Sequence, residues 1–113
     1  MKIESMITRD VRNLYMESVI NHAKKTPKIF KQGGFTEYHK FYNDGMLFAV
    51  RSIVYAMNVI HPAMWYSMVL DYQQAVTGNL ARHDLEHNER AFYNGMFTMF
   101  LRIQDIFDEY ELI

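Results

Sequence analysis

His83-Asp84-Leu85-Glu86-His87 sets two imidazoles four residues apart. On a helix that spacing turns both rings to one side, where they can chelate a metal ion. A zinc-protease helix needs Glu where Asp84 stands, and a third ligand further along. Asp84 reaches less far than Glu. The polar residues that follow, Asn88, Glu89 and Arg90, describe a hydrated helix face with local ion pairs. No metal ligand and no catalytic residue is assigned to this stretch.

Carboxylates form a second set. Glu86 and Glu89 are followed by Asp105 and Asp108. Similar spacings hold magnesium around a triphosphate in all-helical nucleotide pyrophosphohydrolases. Those enzymes place the two motifs on antiparallel helices. Here both fall on one predicted helix unless Asn94-Gly95 is a true turn.

The third set is cationic. Lys24, Lys25, Lys28 and Lys31 stand beside Gly33-Gly34. A glycine turn with lysines around it can cradle an anion, although no Walker pattern is present. The plainer reading is a solubilising loop. Arg51 and Arg102 each lie within an apolar helical stretch, where a guanidinium needs a carboxylate, a ligand phosphate or a route to solvent. Tyr42 and Tyr55 can stack on a base beside them. The expected ligand-contacting residues are therefore Lys24, Lys25, Lys28, Lys31, Tyr42, Arg51 and Arg102.

Helices must position all of these. Ile7, Val11, Leu14, Tyr15, Val19 and Ala23 recur at helical spacing and predict a first helix from Thr8 to Lys25, stopped by Pro27. A second is expected to start after Thr36 and to run to Val59. It is apolar nearly all round, and Gly45 inside it points to a close helix crossing. Pro62 opens a third, with Trp65, Met68, Val69, Tyr72 and Val76 as its stripe and Gly78 as its stop at Thr77. The fourth is predicted from Leu80 to Tyr110, buried along Leu85, Phe92, Met96, Met99, Ile103, Ile106 and Tyr110, with a kink or turn at Asn94-Gly95. Its acidic end, with Asp105, Asp108, Glu109 and Glu111, is expected to face the lysine-rich connection. Phe41-Tyr42-Asn43 returns as Phe92-Tyr93-Asn94, an echo of two halves on one plan. Two helical hairpins follow: an all-α, antiparallel four-helix bundle in a single domain, or an interlocked homo-oligomer.

Composition sets the outer limits. The 113 residues are half apolar or aromatic, enough for a core of one domain. The net charge of -1 fits neither a polyanion mimic nor a strongly basic nucleic-acid binder. There is no cysteine, so disulfides and thiolate metal sites are excluded and a reducing cytoplasm is expected. The longest uncharged run, Ser52 to Leu70, is broken by His61-Pro62 and predicts no membrane span. The nine methionines suit packing or an adaptable binding face.

The stretch Gly45-Met46-Leu47-Phe48-Ala49-Val50-Arg51-Ser52-Ile53 resembles the Gly-apolar-Arg helix of small phage anti-defence proteins. That family, helical hairpins in form, sequesters cyclic nucleotide signals made by CBASS or Thoeris immunity. The resemblance implies an oligomer with pockets between subunits, no catalysis, no cofactor and Arg51 as a ligand contact. The family's polar stretch before this helix is replaced here by Phe41-Tyr42-Asn43-Asp44. The expected function is non-enzymatic capture of an anionic, cyclic nucleotide signal. Inhibition of a host defence complex through a protein surface is the alternative, and magnesium-dependent nucleotide hydrolysis a third.

Overall fold

The computed structural model of the chain describes residues 6–17 and 37–110. Helix α1 covers residues 6–17. Helix α2 is Glu37–Val59, a 3-10 turn Pro62–Met64 leads into α3, Trp65–Leu80, and α4 is His87–Glu109. The described residues contain no strand. The protein is an all-α helical bundle, as the helical periodicities require. Among the described residues, no helix is long and apolar enough to cross a membrane.

The centre is a crossing of α2 and α4. Both helices have 23 residues, and a glycine is the ninth residue of each. The backbones meet there. A Cβ added at Gly45 would overlap the Phe92 carbonyl oxygen, 2.9 Å from the carbonyl carbon and 3.1 Å from the Met96 nitrogen. One added at Gly95 would overlap the Tyr42 carbonyl oxygen, again 2.9 Å from the carbon and 3.1 Å from the Met46 nitrogen. Only glycine lets two helices approach this closely. The matched distances describe a near-twofold relation in which Gly45-Met46 corresponds to Gly95-Met96. The contacts flanking the crossing obey it. Tyr42 donates a hydrogen bond to Thr98 Oγ1 at 2.9 Å, while on the other side the corresponding pair is Phe92 against Phe48, ring centroids 5.6 Å apart. The structural register is thus one residue off the Phe-Tyr-Asn echo, whose two copies do not occupy equivalent positions.

The two helices run parallel. Tyr38 and His87, each in the first turn of its helix, bring their rings to 5.0 Å. At the other end Trp65 Nε1 donates to the Ile60 carbonyl, and its ring stacks on Phe107 at 6.4 Å. Parallel second and fourth helices are diagonal partners in an up-down-up-down bundle. Here the glycines bring that diagonal pair into contact, and α2 packs chiefly on α4. Helix α3 lies antiparallel on α4, through Tyr72 stacked on Phe100 at 5.3 Å. Helix α1 buries Ile7 and Val11 in the same core. It is tied by Tyr110 Oη donating to Asp10 at 2.5 Å and by Arg12 donating to Asn58 at 3.4 Å.

Three expected boundaries move. Helix α3 continues through Gly78 to Leu80, because nothing at Gly78 calls for a positive φ or a close neighbour. Helix α4 begins at His87 rather than Leu80. The stop comes from outside the local sequence: Arg90 Nη1 donates to the Leu80 carbonyl at 3.1 Å and Nη2 to the Arg82 carbonyl at 3.2 Å. One guanidinium so satisfies backbone oxygens that the end of α3 leaves open. Arg90→Ala is expected to cost about 1–2 kcal/mol, the worth of two partly exposed charge-assisted bonds, readable as a lower urea midpoint. Finally, Asn94-Gly95 lies inside one continuous helix, so the turn that would have split it into two does not occur.

The Asp10–Tyr110 contact gives the bundle an alkaline limit. The Asp10 carboxylate accepts the phenol proton's hydrogen bond and holds the Tyr110 pKa above its ordinary value of 10.0. A raised folded-state pKa means the contribution is complete below the unfolded tyrosine pKa and disappears as pH rises through the folded one. The stability difference between wild type and Tyr110→Phe, followed by urea titration, should therefore shrink above pH ~10.

Candidate functional site

The histidine pair does not form a chelate. His83 lies in the segment joining α3 to α4, His87 is the first residue of α4, and both are exposed. Between them Asp84 takes a two-pronged hydrogen bond from Arg82, 3.0 Å from Nε and 3.0 Å from Nη2, which holds its carboxyl below the usual range. Among the described residues no three His, Asp or Glu side chains converge as a metal group would.

The carboxylate pairs stay apart. With α4 uninterrupted, Glu89 and Asp105 are separated by about 24 Å of helix. No second helix folds one set back over the other. The acidic end of α4 is exposed at Asp105, Asp108 and Glu109, while the lysines expected to meet it lie outside the described residues. The anion-cradle residues Lys24, Lys25, Lys28 and Lys31, with Gly33-Gly34, also lie outside the described residues.

The two arginines are not buried. Arg51 and Arg102 are both exposed, each on the side of its helix turned from the core. The near-twofold relation sends those two sides to opposite flanks of the α2–α4 pair, so the arginines do not converge. Tyr42 is half-buried and spends its hydroxyl on Thr98 in the helix crossing. It is a tether between α2 and α4.

What the structure does assemble is one continuous outer face on α2. Phe48, Arg51, Ser52, Tyr55 and Val59 follow the three-and-four spacing of a single helix side. Phe48 is 50% exposed, Tyr55 70% and Val59 65%, so that large side chains stand open to solvent along the face that carries Arg51. Arg51 has no hydrogen bond or ion pair with any described residue. At the end of this face Arg12 of α1 reaches Asn58. The arrangement offers flat aromatic area beside an uncommitted guanidinium, the means by which proteins hold a planar anion. The signal was present in the sequence as Phe48 and Tyr55 seven residues apart with Arg51 between them. The apolar neighbours of Arg51 on every side of α2 obscured it.

A polar network elsewhere serves packing. Gln73 Nε2 donates to Gln104 Oε1 at 2.7 Å, and Gln104 Nε2 to Tyr66 Oη at 3.3 Å, pinning the register of α3 on α4. No protein-family model, curated protein or solved structure matches the chain.

Proposed function

We propose that the chain is a non-enzymatic binding protein that captures an anionic, nucleotide-like signal on the outer face of α2, in the manner of the phage anti-defence proteins its central helix resembles. The observation that carries this reading is the unpaired Arg51 between the exposed rings of Phe48 and Tyr55. The base stacks on a ring and the phosphate takes the guanidinium. A single helix face does not enclose a ligand. The reading therefore includes a second copy laid against α2, so that ligand and subunit contacts form together.

Native mass spectrometry tests both halves at once. A dimer or larger assembly that retains a small anion, released intact on denaturation, is the expected result. Added cyclic nucleotides should raise the melting temperature, and Arg51→Glu should remove that shift while changing stability by less than about 0.5 kcal/mol. A monomer that retains nothing and shifts with no cyclic nucleotide overturns the reading.

A second reading rests on the far end of the same face. Val59, 65% exposed, carries the apolar strip about 16 Å along the helix from Phe48, beyond the reach of one nucleotide. A protein partner, such as a host defence complex, would cover that length. Arg51→Glu and Val59→Asp distinguish the two: capture of a nucleotide depends on the first, docking of a protein on both.

A further inference from the structure

A hollow of about 300 Å³ opens beside the first turns of α4, lined by Phe41, Glu86, Asn88, Glu89, Phe92 and Tyr93. The near-twofold relation explains why it is there. On one flank of the α2–α4 crossing, Tyr38 lays its ring on Tyr42, nearly parallel with centroids 6.4 Å apart, and fills the space beside His87. On the other flank Tyr42 becomes Phe92, and the position of Tyr38 becomes Asn88. Asn88 carries no ring, and the hollow opens at this position.

The lining names the occupant. Phe92 and Tyr93 stand edge to face at 79°, forming a corner of two ring planes, and Phe41 closes it from α2. Glu86 and Glu89 are exposed at the rim. Neither makes an ion pair with a described residue. Of the cations around the α3–α4 connection, Arg82 is held by Asp84, and Arg90 by the carbonyls of Leu80 and Arg82. Glu89 feels Arg82 only through space. Flat aromatic walls with two carboxylates at the mouth fit a planar cation, one that stacks by its face and donates in its plane.

We propose that this hollow binds a guanidinium group, stacked on Phe92 and held by Glu86 and Glu89. The group belongs either to a small molecule or to an arginine of a partner chain. The site borders the α2 outer face, since Phe92 also meets Phe48 at 5.6 Å, but it uses different polar groups and does not depend on the anion reading.

The test uses the full chain, with binding followed by calorimetry and by the ring resonances of Phe92 and Tyr93. The probes are agmatine, an acetylated arginine amide and a short arginine peptide, with the matching citrulline compounds as neutral isosteres. Saturable binding of a guanidinium probe, with citrulline silent, is expected. Preference for agmatine marks a small-molecule source and preference for the peptide a partner chain. Paired Glu86→Gln and Glu89→Gln should weaken binding by about tenfold, because each removes one exposed charge from the rim. Asn88→Tyr, which restores the missing ring, should abolish it, with circular dichroism verifying the helices in each variant. Binding that citrulline matches, binding that survives both sets of variants, or no binding of any guanidinium at millimolar concentration overturns the proposal.

Discussion

Gly45→Ala and Gly95→Ala should each destabilise the bundle by about 3 kcal/mol or more, although alanine is the better helix former by about 1 kcal/mol. The added methyl would overlap a backbone carbonyl oxygen of the facing helix, Phe92 for one and Tyr42 for the other. A flexible side chain could rotate aside, but a backbone carbonyl cannot. The helices must separate, and separation loosens the Tyr42–Thr98 bond and the Phe48–Phe92 contact that flank the crossing. Because one separation accommodates both methyls, the double variant should lose clearly less than the sum of the singles. Gly78→Ala supplies the control. It lies in an exposed turn of α3 with nothing within 4 Å of the new Cβ, and should raise stability by about 0.5–1 kcal/mol. Urea melts followed by circular dichroism measure all four. Two glycines of opposite sign to the third would establish that the α2–α4 contact is the structural centre. Equal, small effects at all three positions would contradict it.

This crossing also shows what a sequence discloses and what it withholds. Gly45 was legible. A glycine inside an apolar helix costs stability, so a close neighbour is the physical reason to keep it. Its partner was not legible, because Asn94-Gly95 is equally good chemistry for a turn. Nothing local distinguishes the two uses. The choice depends on a helix fifty residues away, presenting its own glycine at the matching position. The start of α4 was hidden for a similar reason. The residues from Ala81 to Glu86 are compatible with a helix, and the break is imposed by Arg90 reaching back to Leu80 and Arg82. By contrast, the turn at His61-Pro62 is written locally. His61 Nδ1 accepts from the Ala63 amide at 3.1 Å, and Pro62 sits where a missing N–H costs nothing.

The candidate site divides along the same line. That Arg51 needs a partner or a route to solvent could be read from an arginine in an apolar helix. Its exposure could not, because α2 is apolar on nearly every side and only the position of α4 decides which side is covered. Once Gly45 fixes that direction, Ala49 and Ile53 fall inward with no exposure, and Phe48, Arg51 and Tyr55 fall outward. Two questions thus separate. The crossing explains stability, and the outer face of α2 is the one that the proposed binding uses. Variants of Arg51 and Tyr55 should not share a phenotype with the glycine variants, whereas Phe48, whose ring also meets Phe92, belongs to both.

Phe100→Ala should produce the other large loss, about 3–5 kcal/mol, a substantial part of what a domain this size possesses. Phe100 is fully buried on α4 and stacks on Tyr72 of α3 at 14° between planes. Removal leaves a cavity the neighbours cannot fill, since the Phe100 carbonyl and Gln104 hold Gln73 and so fix α3 at its present distance. The adjacent Leu101 is 40% exposed, and Leu101→Ala should cost under about 1 kcal/mol. A difference this large between neighbouring residues demands the helical register described for α4; similar losses at both would mean α4 is rotated. The same variant separates folding from binding. Phe100 lies on α4, which packs between α2 and α3, whereas the Phe48–Arg51–Tyr55 face is on the outside of α2. At a temperature low enough for Phe100→Ala to stay folded, ligand capture at that face should persist, while Arg51→Glu should lose capture and keep its melting point. If Phe100→Ala abolished capture while still folded, the ligand would have to contact the α3–α4 side, and the outer face of α2 would not be the site.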